Sequence, residues 1–307
     1  MLSMTRKVFA MATLAALIGC ASAGDPQLTN QREPTPEATL FTPTRFSVEI
    51  TGEGPDVILI PGLASSRDVW DATVAQLAAT HRVHAIQLAG FGGEPLGEGA
   101  ASGAIVAPFV EELNTYIEHN HITRPAVIGH SLGGVGALML AKSHPSNVGR
   151  AMVVDALPFF SLLIDPNATV AGITPQAASL RDQMIAMPAE QFAAGQMFTM
   201  NRLVRTETLR FTVMNWSLAS DRSAVARGMY DVMTTDLRPD LASIQTPVTV
   251  VYANDPAMAP EAQITGLYAA LYAPLPNHRL VKVDQSFHFV PLDNPTAFAA
   301  AVEEFLR

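Results

Sequence analysis

Cysteine is all but missing from this chain of 307 residues, with Cys20 the only one. The body that follows can therefore form neither a disulfide nor a cysteine-ligated metal site, and thiols carry none of its chemistry. Charge is sparse as well, at 15% Asp, Glu, Lys and Arg, and cations are outnumbered 19 to 28, a formal net charge of −9. With no local basic patch, phosphate backbones would be repelled, so nucleic acid is not an expected partner. Long apolar runs are lacking too. The stretch Val8 to Ile18 falls short of the roughly 20 residues that span a bilayer as a helix. What the chain does have is 49% hydrophobic residues, enough to bury a sizeable core and too many for a disordered polymer.

Arg6 and Lys7 precede the run Val8 to Ile18, and small residues then lead to Gly24-Asp25-Pro26. This is the charged, apolar and cleavable order of a secretory signal over residues 1–23, and it implies export. Ala21-Ser22-Ala23 offers an ordinary cleavage site. Leu17-Ile18-Gly19-Cys20 resembles a bacterial lipobox, which would make Cys20 a lipid anchor, and the lone cysteine falls at the one position a lipobox requires. The expected location is the periplasm, or the outer membrane as a lipoprotein. Residues 24–44 carry four prolines without helical or strand period and read as an extended linker.

From residue 45 onward, short aliphatic runs recur: Phe46 to Ile50, Val57 to Ile60, Val83 to Leu88, Ala126 to Ile128, Ala151 to Val154, Val248 to Tyr252 and Arg279 to Val283. Several are apolar throughout, as strands covered on both faces should be. Helical patterns such as Ile105 to Glu118 and Leu132 to Ala141 lie between them. The alternation predicts an α/β fold with a doubly wound, mostly parallel sheet. It breaks over about 157–240, where helix formers dominate and an inserted helical subdomain is expected. That insert holds seven of the thirteen methionines, with Phe159, Phe160, Phe192, Phe198, Phe211 and Trp216. Most would pack it onto the body, and a few would line an apolar pocket.

The strand Ala126 to Ile128 runs into Gly129-His130-Ser131-Leu132-Gly133-Gly134 and then a helix. G-x-S-x-G between a buried strand and a helix turns the chain sharply and presents Ser131 at the top of the sheet. A serine hydroxyl needs a base, and the base needs a carboxylate to orient it. His288 stands in the loop after the last strand, from which it could reach Ser131. Asp255, just after Val248 to Tyr252, is the favoured carboxylate; Asp155, ending Ala151 to Val154, is its rival, and Asp284 a third candidate. His119 and His121 terminate a helix with no later ligand cluster, and His130 supports the turn or the pocket. Neither a metal nor an organic cofactor is expected, since such a triad supplies its own chemistry.

These residues, with Ile60-Pro61-Gly62-Leu63, Val251-Tyr252-Ala253-Asn254-Asp255 and Phe287-His288-Phe289, resemble the α/β-hydrolase family, in particular its esterase and lactonase-like members with a helical cap. The resemblance covers about residues 45–307. It implies an oxyanion hole formed by the backbone N–H groups of Leu132 and Leu63, with Ala64 in reserve. Two departures stand out. Pro61-Gly62 replaces the family's usual His-Gly pair, and Ser286-Phe287 stands where a glycine usually precedes the histidine.

A serine at the nucleophile position argues against the branches that remove halide or open epoxides with an aspartate. The expectation is a serine hydrolase of carboxylic esters, lactones or thioesters, with a hydrophobic small molecule as substrate partner. Perhydrolysis, C–C bond hydrolysis and ligand binding without turnover are the rival readings. The lipid anchor has a direct test. Cys20→Ser expressed in the native host should abolish partition into the membrane fraction. Soluble protein beginning at Gly24 in both wild type and variant would rule the anchor out.

Overall fold

Valine and isoleucine pack well on a pleated, covered surface, and the runs rich in them form one seven-stranded sheet. The computed structural model describes residues 41–307; the proposed signal, Cys20 and the linker as far as residue 40 lie outside the described residues. The strands are β1 (Phe46–Thr51), β2 (Asp56–Ile60), β3 (Arg82–Leu88), β4 (Ala126–His130), β5 (Arg150–Val154), β6 (Val248–Asn254) and β7 (His278–Asp284). Their order across the sheet is β1-β3-β2-β4-β5-β6-β7, parallel throughout except that edge strand β1 runs antiparallel to β3.

Among the described residues the helices are α1 (Asp71–Leu77), α2 (Val106–His119), α3 (Leu132–Ser143), α4 (Val170–Ala186), α5 (Ala189–Leu203), α6 (Glu207–Ala219), α7 (Arg222–Thr234), α8 (Glu261–Tyr272), α9 (Val290–Asp293) and α10 (Pro295–Leu306). None is long and apolar enough to cross a membrane. Because successive strand residues point to opposite faces, Ile58 and Ile60 of β2 join one core while Val57 and Leu59 join another. Phe109 and Leu113 of α2, Leu138 of α3 and Tyr272 of α8 pack in the first core. Trp70, Leu77 of α1 and Phe298, Val302 and Phe305 of α10 fill the second. Asn294 caps α10 by accepting from the Ala297 N–H at 3.2 Å, with Pro295 in the first turn where its missing N–H costs nothing.

Helices α4 to α7 lie between β5 and β6. α4 packs on α7, and α5 packs on α6. Met233 of α7 closes a small core with Phe159, Ile173 and Ala177, whereas Met200, Val213 and Met214 of α5 and α6 join the sheet's second core beside Phe289. Not every apolar residue of this insert turns inward. Phe198 and Phe211 are 66% and 64% exposed.

Glycines set the geometry where β4 meets α3. A side chain at Gly129 would overlap the Gly133 carbonyl, and one at Gly133 would run into the carbonyl of Ile60 at the end of β2. Backbone atoms cannot give way as flexible side chains do, so Gly133→Ala should destabilise by about 1–3 kcal/mol, the usual cost of overpacking. Gly195 in α5 and Gly266 in α8 have open space around an added Cβ. Alanine at either should stabilise by about 0.5–1 kcal/mol. Urea unfolding of the three variants tests the contrast, and a neutral Gly133→Ala would contradict it.

Candidate active site

β4 ends at His130, and the next residue, Ser131, has φ 54° and ψ −117°. That backbone is costly for a non-glycine residue and persists only where its surroundings hold it. They do so on both sides. The Ser131 N–H donates to the Val154 carbonyl at 2.9 Å, and the Ser131 carbonyl accepts from Gly134 and Val135 at 2.9 and 3.1 Å. Leu132 is the first residue of α3, so its N–H has no acceptor within the helix. The 61–64 turn lies against the same corner: a Cβ added at Gly62 would sit 3.1 Å from Ser131 Cβ. Leu63 and Leu132 share a neighbour in α7, since a Cβ at Gly228 would lie 2.7 and 3.5 Å from their Cδ1 atoms. The two residues expected to offer oxyanion donors thus stand at one corner.

His288 follows β7 by four residues and is partly buried, its side chain 22% exposed. Its Nδ1–H donates to Asp155 Oδ2 at 2.7 Å. With the proton held on Nδ1, Nε2 keeps its lone pair, as a general base requires. His130 Nε2–H donates to the His288 carbonyl at 2.8 Å, and the two imidazole centroids are 4.6 Å apart. His288 therefore stands beside the residue that precedes Ser131.

Asp255, the carboxylate favoured from the sequence, does not face His288. Its Oδ2 accepts from Arg205 Nε at 2.8 Å and its Oδ1 from the Ala257 N–H at 2.9 Å. The reason is strand length. Val154 at the end of β5 pairs with Val251, but β6 continues to Asn254 through pairing with β7. Asp155 consequently lies level with Tyr252, and Asp255 stands three residues further out, roughly 10 Å along a strand rising about 3.3 Å per residue. Asp284 is also turned away, accepting from Asn254 Nδ2 at 2.6 Å.

The contacts of Asp155 fit it to remain ionised. Burial pushes its carboxyl up, but the His288 hydrogen bond and charge, the Ala253 N–H at 3.0 Å and the Tyr268 hydroxyl at 3.0 Å outweigh burial and hold it below the ordinary carboxylate range. Tyr268 stays a donor, since burial first and the Asp155 charge second push its phenol well up. Its ring stacks on Tyr252 at 4.6 Å. Tyr268 and Tyr272 recur four apart on one face of α8, the one local signal in the sequence for this tyrosine's burial. His119 Nε2 accepts from the Phe41 N–H at 3.2 Å, and among the described residues no three of His, Cys, Asp and Glu converge as a metal site would require.

His130 is fully buried, and its Nδ1 makes no hydrogen bond among the described residues. Burial, and secondarily the charge of His288, lower it from 6.5 to about 3. Below pH 6.5 the unfolded chain takes up a proton that the folded chain refuses, so stability falls with falling pH until about pH 3. This group alone contributes a slope of about 1.4 kcal/mol per pH unit well inside that window. Urea unfolding at about pH 5.5 and 4.5 should show a slope shallower by that amount in His130→Gln, which lacks the titrating ring. Equal slopes in the two proteins would refute the assignment.

The sequence profile of the alpha/beta hydrolase fold family matches residues 55–295. A pimeloyl-[acyl-carrier protein] methyl ester esterase of Aeromonas hydrophila is 29% identical over 269 residues, covering 85% of this chain and 98% of that protein. Its counterpart in Vibrio cholerae is 26% identical over 264 residues, covering 84% and 96%. Among solved structures, the enol-lactonase of Burkholderia xenovorans superposes with a TM-score of 0.68 at 19% identity, covering 85% of this chain and 96% of the other. With the profile spanning most of the chain, and with the sheet, the turn at Ser131 and the His288 loop in place, the protein belongs to the α/β-hydrolase fold family.

Proposed function

We propose that the chain hydrolyses carboxylic esters with Ser131 as nucleophile, His288 as base and Asp155 as the carboxylate that orients it. The observation that carries this reading is the 2.7 Å contact between His288 Nδ1 and Asp155 Oδ2 beside the strained turn at Ser131. In the first half-reaction, Ser131 Oγ attacks the ester carbonyl as His288 Nε2 takes its proton. The imidazolium is stabilised by the ionised Asp155 and then protonates the departing alcohol. The oxyanion is met by the Leu132 and Leu63 N–H groups. Water enters the second half-reaction by the same route and releases the acid, leaving Ser131 and His288 in their starting states.

The names of the esterase relatives support an ester as substrate. A neutral, apolar small molecule suits the methionine-rich insert, and the apolar run at Val8 to Ile18 supports action outside the cytoplasm. A panel of nitrophenyl esters of increasing acyl length, with lactones alongside, separates these substrate classes.

Removing Ser131 or His288 by alanine should lower kcat by about 10⁴- to 10⁶-fold while the fold survives, since triad members act as a unit. Asp155→Asn should cost about 10⁴-fold by favouring the wrong tautomer of His288. Asp255→Asn should change kcat by less than about tenfold, because it loses only a partly exposed pair with Arg205. Steady-state kinetics and fluorophosphonate labelling of Ser131 provide the readout. A severe Asp255→Asn with a mild Asp155→Asn would reverse the assignment.

A further inference from the structure

The loop that carries His288 is short; the Phe289 amide that follows the histidine is held by the insert, and the Phe287 amide that precedes it by Asp293 of α9. Phe289 N–H donates to the Leu203 carbonyl at 3.2 Å, at the end of α5. Phe287 N–H donates to Asp293 Oδ2 at 2.9 Å. The same carboxylate accepts from the turn between α5 and α6, with Arg205 N–H on Oδ2 at 3.0 Å and Thr206 N–H on Oδ1 at 2.9 Å. One carboxylate therefore gathers three backbone donors, two from the insert and one adjacent to His288. Charge-assisted bonds of this kind are about twice as strong as neutral ones. Arg205 adds a second fastening through its side-chain pair with Asp255.

We propose that Asp293 is a positioning residue that ties His288 to the α5–α6 turn, so that the base keeps its place over Ser131 only while that turn is seated. The inference rests on His288 acting as the base of the proposed ester hydrolysis. Asp293 touches neither nucleophile nor base; it acts through the Phe287 peptide and the turn at 205–206. Its effect therefore belongs in the chemical step rather than in substrate binding. Its position, five residues after His288 and at the end of the short helix α9, lets the chain fold back so that the carboxylate meets the Phe287 amide.

The test compares Asp293→Ala, Asp293→Asn and Asp293→Glu with wild type in the full chain, using nitrophenyl acetate well below the unfolding temperature. Asp293→Ala should lower kcat between about ten- and a hundredfold, as small misplacements of a catalytic group do, with a much smaller change in KM. Asparagine has one acceptor oxygen for the three donors and should fall between wild type and alanine. Glutamate should recover part of the loss. The downfield proton resonance of His288 Nδ1–H should shift or broaden in the alanine and asparagine variants, which a purely structural role would leave in place. If Asp293→Ala does not fold, Asp293→Asn decides. Wild-type kcat and an unchanged resonance in either folded variant would overturn the proposal. Hydrolysis that survives Ser131→Ala would sink the underlying mechanism instead, and is told apart because it requires no change at Asp293.

Discussion

The hydrogen bond from the Ser131 N–H to the Val154 carbonyl fixes everything built on the carboxyl edge of the sheet. It continues the β4–β5 ladder one step past His130 and Val154, into residues that have already left the strands. Ser131 is thereby held in its unfavourable backbone conformation, and Asp155, the next residue on the neighbouring strand, is set at the same level. The distance between Ser131 and Asp155 is then a property of strand spacing, fixed by parallel pairing. His288 needs only to be delivered by its loop into the space that pairing defines.

The sheet, the turn at Ser131 and the loop that carries His288 were legible in the sequence for one reason: each rests on a local pattern. Ser131 lies between glycines whose lack of a side chain is demanded by backbone contacts, and His288 follows a strand and precedes a Pro-opened helix. Which carboxylate meets His288, Asp255 or its rival Asp155, was not legible, because it depends on a relation between strands. The apolar run of β6 ends at Tyr252, yet the strand continues to Asn254 because β7 pairs with it that far. No local pattern in β6 reports that extension. Asp255 is thus carried past the site while Asp155, at the end of the shorter β5, remains beside it. The Tyr268 hydroxyl and the three-donor role of Asp293 were hidden for the same reason, since each joins segments far apart in the chain.

The two helix pairs of the insert meet different sides of the site. α7, paired with α4, places Gly228 beside Leu63 and Leu132, where the bare glycine makes room for the Leu63 side chain. The α5–α6 pair reaches the histidine loop through the 203–206 turn, which bonds to Phe289 and to Asp293. Packing reinforces this division, since Met200 and Met214 share a core with Phe289, while Met233 belongs to the separate cluster around Phe159. The exposed Phe198 and Phe211 have no part in either contact.

Ala64, Ser131, Asp155 and Gln285, four non-glycine residues at the ends of different strands, all have φ between 48° and 54°. Each such residue costs about 1–3 kcal/mol, against a net folding stability of about 5–15 kcal/mol for a typical domain. The carboxyl edge therefore draws on stability that the sheet beneath it supplies: the Ser131 and Asp155 N–H groups are bonded to the neighbouring strands at Val154 and Val251, and such backbone conformations persist only where their surroundings hold them. A paired sheet is thus the condition for the shape of its own edge.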